Sequence, residues 1–238
     1  MIGIKEISLT LAAGALLVLA LAAWYTYDFS GSDITQSADQ TEALDGPLTP
    51  EAQEQLANSD ILDMDNNHVA TFLTNRGEIQ IELFTTDMPI TVGNFVTLAE
   101  DGFYDNTKFH RVIEGFMIQA GDPNSREDDA SAYGTGGPGY TIQDEFVSGD
   151  HLTNVRGTIA MANTGQPNSG GSQFFINVAD NVALDFDKPP MTSRHPVFGR
   201  VISGMDVVQE IERTETGARD VPVEPVIIES ITITQPSE

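Results

Sequence analysis

The sequence contains no cysteine. Disulfides, zinc–thiolate sites, a thiol nucleophile and a lipid-modified cysteine are therefore excluded. Basic residues are scarce: 11 Lys and Arg face 36 Asp and Glu, giving a formal net charge of −25. Binding nucleic acid needs a basic stripe to meet phosphates, and none is present. The same charge repels anionic lipid headgroups, and it favours a soluble monomer. No nucleophile elbow, HExxH pair or phosphate loop occurs. The four histidines, His68, His110, His151 and His195, lack ligand spacing, so neither a metal nor another cofactor is expected. The glycine-rich run Gly134-Thr135-Gly136-Gly137-Pro138-Gly139 carries no Lys and opens no clear helix. It reads as a tight loop that uses glycine's access to positive φ.

What is present falls into three regions. Residues 1–27 hold the uncharged apolar segment Ile7 to Tyr27, preceded by Lys5 and closed by Trp24, Tyr25 and Tyr27. About 20 such residues span a bilayer core, and the aromatic end resembles an interfacial belt. Two readings stand: an uncleaved membrane anchor, favoured by length and aromatics, and a signal peptide cleaved near Ala20-Leu21-Ala22. Either exports the rest of the chain, and the anchor leaves the domain membrane-tethered and extracytoplasmic. Residues 28–66 are rich in Ser, Asp, Gln, Thr and Glu and offer little apolar surface against ordering entropy. They read as an acidic flexible linker. A short helix from Pro50 to Ala57, with Thr49 as N-cap, fits within it.

Residues 67–238 form the folded domain, and hydrophobic residues at 40% of the chain suffice for its core. Val69 to Leu73 reads as a strand, Asn75-Arg76-Gly77 as a turn, and Glu78 to Leu83 as a second strand with period-two alternation. Pro89 suits a helix start, with Val92, Phe95, Val96 and Ala99 on one face. Further strands are predicted at Lys108 to Ile113, Phe116 to Ala120, Gly157 to Ala162, Gln173 to Val178, Pro196 to Val201 and Val226 to Ile233. A second helix follows Ser203 as N-cap. Many short strands with two helices suggest a barrel or sandwich.

One segment, Phe109 to Asp122 (FHRVIEGFMIQAGD), places Arg111 and a Phe-Met-x-Gln run on two strands around a turn. Alone, it reads better as a surface hairpin in which Arg111 simply pairs with Glu114. It closely resembles, however, the FHRVI-x-x-FMIQ-x-GD motif of cyclophilins. The blocks Gly157 to Asn163 with Ser172 to Ile176, and Arg194 to Val201, resemble that family's G-x-x-x-MAN…SQFFI and H-x-VFG-x-V signatures. The resemblance covers Val69 to Ile233. It implies a mainly β fold, a closed eight-stranded antiparallel β-barrel capped by two α-helices, here preceded by the transmembrane helix.

The resemblance also implies peptidyl-prolyl cis-trans isomerase activity on proline-containing polypeptides, as in the folding of exported or surface proteins. By position, the active-site arginine falls on Arg111. The proline pocket falls on Phe116, Met117, Phe175, Leu184 and His195. Gln119 and Asn163 fall where the family holds the substrate backbone, with Ala162 and Gln173 lining the groove. Ala183 stands where many members carry tryptophan, which implies weak cyclosporin binding. His110 reads as structural. The alternative functions are a non-catalytic tethered domain that holds proline segments as a chaperone or scaffold, and a structural surface protein.

Overall fold

The computed structural model describes residues 46–57 and 67–235. The strands are β1 (Gly46–Pro47), β2 (His68–Thr74), β3 (Gly77–Leu83), β4 (Thr107–Lys108), β5 (Arg111–Ile113), β6 (Met117–Ala120), β7 (Tyr140–Thr141), β8 (Thr158–Met161), β9 (Phe174–Asn177), β10 (Val197–Ser203) and β11 (Ile227–Thr234). Three α-helices join them: α1 (Pro50–Ala57), α2 (Pro89–Glu100) and α3 (Met205–Glu212).

Alternation in β3 sets the inside and the outside. Ile79, Ile81 and Leu83 are fully buried, while the polar residues between them point outward. β2 pairs with β3 in register, and both lie within one nine-stranded sheet ordered β4-β11-β2-β3-β10-β8-β9-β6-β5. The two end strands, β4 and β5, are separated on the chain only by Phe109 and His110. The sheet must therefore curl until its ends meet. Helix α2 closes one opening with Phe95, whose ring lies 5.2–6.0 Å from those of Phe72, Tyr104, Phe174 and Phe198. Offset and edge-on aromatic packing of this kind adds to simple area burial.

The mainly β architecture agrees with the sequence reading, but several details differ. The closed eight-stranded barrel is corrected, among the described residues, to a curled nine-stranded sheet with a β1–β7 parallel pair; the two helices expected in the domain are α2 and α3, and the short helix expected at Pro50 to Ala57 is α1. The ninth strand arises because the predicted strand Lys108 to Ile113 breaks at Phe109-His110 and changes partners. β4 pairs with β11, and Phe109 N donates to Val226 O at 2.9 Å; β5 pairs with β6 instead. The N-terminal position of α3 is taken not by Ser203, which extends β10, but by Gly204 at φ 81. A Cβ there would sit 2.2 Å from Glu78 O, so only glycine fits.

Part of the stretch expected to be a flexible linker is built into the domain. Ala52 N donates to Thr49 Oγ1 at 3.3 Å, the expected cap of α1. Gln53 is buried; its Nε2 donates to Leu48 O at 2.7 Å, and its Oε1 accepts from Gln143 N at 2.9 Å. Leu48 and Leu56 pack on the main core. The apolar segment predicted to span a membrane lies outside the described residues. Among the described residues no helix is long and apolar enough to cross a membrane.

Candidate active site

Strand register assembles the site. Arg111 on β5 stands opposite Gln119 on β6, and Gln119 stands opposite Phe175 on β9. Residues paired across strands share a face, so a cation, an amide and an aromatic ring form one row. Met117, two residues before Gln119, lies on that same face, while Ile118 and Ala120 turn to the core. The resulting groove has a volume of about 560 Å³ and is lined by Arg111, Phe116, Met117, Gln119, Ala162, Asn163, Phe175, Leu184 and His195.

The apolar floor is firm. Met117 and Phe175 are 2% and 4% exposed, and the His195 ring meets Phe175 edge-on at 5.4 Å. His195 Nδ1 lies 3.0 Å from Met161 O, and its backbone N donates to Leu184 O at 3.0 Å. A carbonyl only accepts, so the Nδ1 proton is present. Burial lowers the His195 pKa, outweighing the Met161 bond and the charge of Asp144; the ring is neutral at pH 7.

Two of the predicted residues bond to the protein itself through their side chains. The Asn163 side chain is committed inside the protein, its Nδ2 donating to Arg194 O at 2.6 Å and its Oδ1 accepting from Gly165 N at 3.0 Å. Its backbone is what remains for a peptide. Gln173 does not line the groove. It accepts from Gln119 Nε2 at 3.0 Å and donates to Gly136 O at 2.8 Å, so it acts through Gln119.

Beneath the pocket runs a polar network that local sequence pattern does not reveal. Asn181 Nδ2 donates to Phe116 O at 2.8 Å and to Asn177 Oδ1 at 2.7 Å. Asn177 Nδ2 donates to Asn154 Oδ1 at 3.0 Å. Asn154 Nδ2 reaches His195 O at 3.0 Å and the buried Asp185 Oδ1 at 2.9 Å. The chain of amides thus ties the backbones of Phe116 and His195, on opposite walls, to each other. A buried network satisfied in this way rigidifies what it joins.

The sequence reading also missed His110, Tyr133, Gly134, Thr135, Arg219, Asp220 and Val221, which complete the lining. His110 is 3% exposed, and burial lowers its pKa despite Asp122 nearby. Arg219 donates to the carbonyls of Ala130, Ser131 and Tyr133 at 2.8–3.0 Å. An isolated arginine in an acidic loop was the one available signal. Among the described residues no cluster of His, Asp and Glu would hold a metal ion.

Residues 69–233 match the family described as cyclophilin type peptidyl-prolyl cis-trans isomerase/CLD. The chain belongs to that family. Peptidyl-prolyl cis-trans isomerase B of Escherichia coli K12 is 44% identical over 174 residues, covering 70% of this chain and all of the relative. A solved cyclophilin-type isomerase of Cryptosporidium parvum superposes with a TM-score of 0.60 at 30% identity, covering 72% of this chain and 99% of that one. The same enzyme solved in the presence of the dipeptide Ala-Pro gives 0.58 at 31% identity, covering 70% and 98%. The cyclophilin domain described here carries this groove between the β5–β6–β9 row and the His195 wall.

Proposed function

We propose that Arg111 is the catalytic group of this isomerase and that the floor of Phe116, Met117, Phe175 and Leu184 grips the proline ring. Rotation about a peptide bond faces a barrier of about 18–20 kcal/mol from amide resonance. The two X-Pro isomers lie within about 1 kcal/mol of each other yet exchange over tens to hundreds of seconds. A catalyst therefore needs no nucleophile. It must bind the twisted amide better than either planar form.

In the twisted state the prolyl nitrogen turns pyramidal and gains a lone pair. A guanidinium that donates to that nitrogen favours this state over both ground states, and its charge is permanent. An apolar slot holds the ring while the preceding carbonyl swings. Gln119 and the Asn163 backbone hold the flanking peptide. The observation that carries this reading is the shared groove, in which the Arg111 cation faces an apolar floor of buried Met117 and Phe175 and half-buried Phe116 and Leu184. Replacing Arg111 by Ala in an isomerisation assay tests it: peptide binding should persist while the rate acceleration is lost. Binding with no acceleration in the unaltered protein would instead favour a scaffold role.

We further propose that the domain works as a monomer outside the cytoplasm, tethered through Ile7 to Tyr27, on exported or surface clients. The apolar, uncharged run of that segment supports this. Membrane fractionation followed by N-terminal sequencing separates the anchor from a cleaved signal peptide.

A further inference from the structure

Asp220 touches the arginine on which the reading above rests. Arg111 Nε donates to Asp220 Oδ2 at 3.4 Å, and the two side chains are 42% and 47% exposed. An ion pair this open contributes little to stability, because solvent screens it and two side chains lose freedom. The chain nevertheless goes to some length to place this carboxylate. Arg219 and Asp220 are consecutive non-glycine residues at φ 62 and φ 61, a conformation that L side chains rarely adopt. The turn persists because the loop is fastened from both sides. Gly217 N donates to Val221 O at 2.8 Å. The Arg219 guanidinium spans to the Ala130, Ser131 and Tyr133 carbonyls, 86 to 89 residues away in sequence.

A guanidinium is a planar fork of five N–H donors. Holding Nε fixes the plane and leaves the two terminal amino groups, with four N–H, available. Among the described residues the Arg111 guanidinium has no hydrogen bond or ion pair other than the one with Asp220. Arg111 and Asp220 both line the groove, together with Arg219.

We infer that Asp220 is a positioning residue for Arg111: held in place by Arg219, it orients the guanidinium through Nε so that the terminal amino groups meet the prolyl nitrogen. The acceptor matters more than the charge. Without it the side chain keeps its cation but samples many rotamers, and the donor arrives in the right geometry less often.

The test is a double-mutant cycle on the full chain, with kcat and KM measured on an Ala-Pro tetrapeptide. Asp220→Ala should lower kcat about fivefold to tenfold, the scale of one net hydrogen bond, with KM nearly unchanged and the melting temperature preserved. Asp220→Asn keeps an oxygen acceptor and should restore most of the rate. In an Arg111→Ala background, Asp220→Ala should cost nothing more, since the residue acts only through Arg111. An equal loss in both backgrounds, or an unchanged kcat in Asp220→Ala alone, overturns the inference while leaving Arg111 in its role. A full rate in Arg111→Ala overturns the reading of Arg111 itself.

Discussion

Gln119 donates its Nε2 to Gln173 Oε1 at 3.0 Å, and Gln173 passes the restraint on to the glycine-rich loop through Gly136 O at 2.8 Å. The residue that faces the groove is thus fixed by one that does not. Among the described residues no donor takes Gln119 Oε1, which leaves it to accept from a substrate N–H.

Removing the support should therefore loosen substrate binding more than chemistry. Gln173→Ala should raise KM about fivefold, the equivalent of one net hydrogen bond near 1 kcal/mol, and leave kcat within about twofold. Steady-state kinetics on a proline tetrapeptide checks this. A loss of kcat at constant KM would place Gln173 in the transition-state machinery instead.

Acid should weaken the fold in a window set by two histidines. Burial, the leading cause, lowers both His110 and His195 below 6.5. The folded state then binds fewer protons than the unfolded one below that pH. Stability is complete above pH 6.5 and declines as pH falls from there toward the folded values. Melting temperatures should be flat from pH 8 to 6.5 and fall below it, and the decline should shrink in His110→Gln. Because His195 stays neutral across the same upper range, the isomerisation rate should also be flat from pH 8 to 6.5.

The α1 segment should behave as part of the domain. Gln53 is buried with both ends of its amide bonded, to Leu48 O and Gln143 N. Gln53→Ala should cost about 1–2 kcal/mol, roughly 2–8 °C of melting temperature for a domain of this size. Activity on a short peptide should not change, since Gln53 does not line the groove. Calorimetry beside the peptide assay separates the two; an unchanged melting temperature would return this stretch to the status of a spacer.

Local pattern made much of the fold legible. The alternation of Ile79, Ile81 and Leu83 marks β3, Pro89 marks the start of α2, and Thr49 caps α1, because each depends on neighbours within a few residues. The break between β4 and β5 was hidden, since it follows from a change of partner strands more than 50 residues apart in sequence on one side. Gly204 was hidden behind a serine that matches a capping preference yet continues β10. At the site, the motif blocks put Arg111, Phe116, Met117, Gln119, Phe175, Leu184 and His195 where the groove is. The loops that complete it, 130–135 and 217–221, have no periodicity. They meet through Arg219 and backbone carbonyls, a contact that no sequence window contains.

The central claim is that the Arg111 guanidinium stabilises the twisted prolyl amide. It is tested most directly by exchange spectroscopy of a proline tetrapeptide with the unaltered protein and with Arg111→Ala, reading the isomerisation rate on the enzyme and the dissociation constant separately. The account predicts a rate loss on the order of 10² with affinity changed by only a few fold. An Arg111→Ala protein that isomerises the bound peptide at the original rate would contradict it.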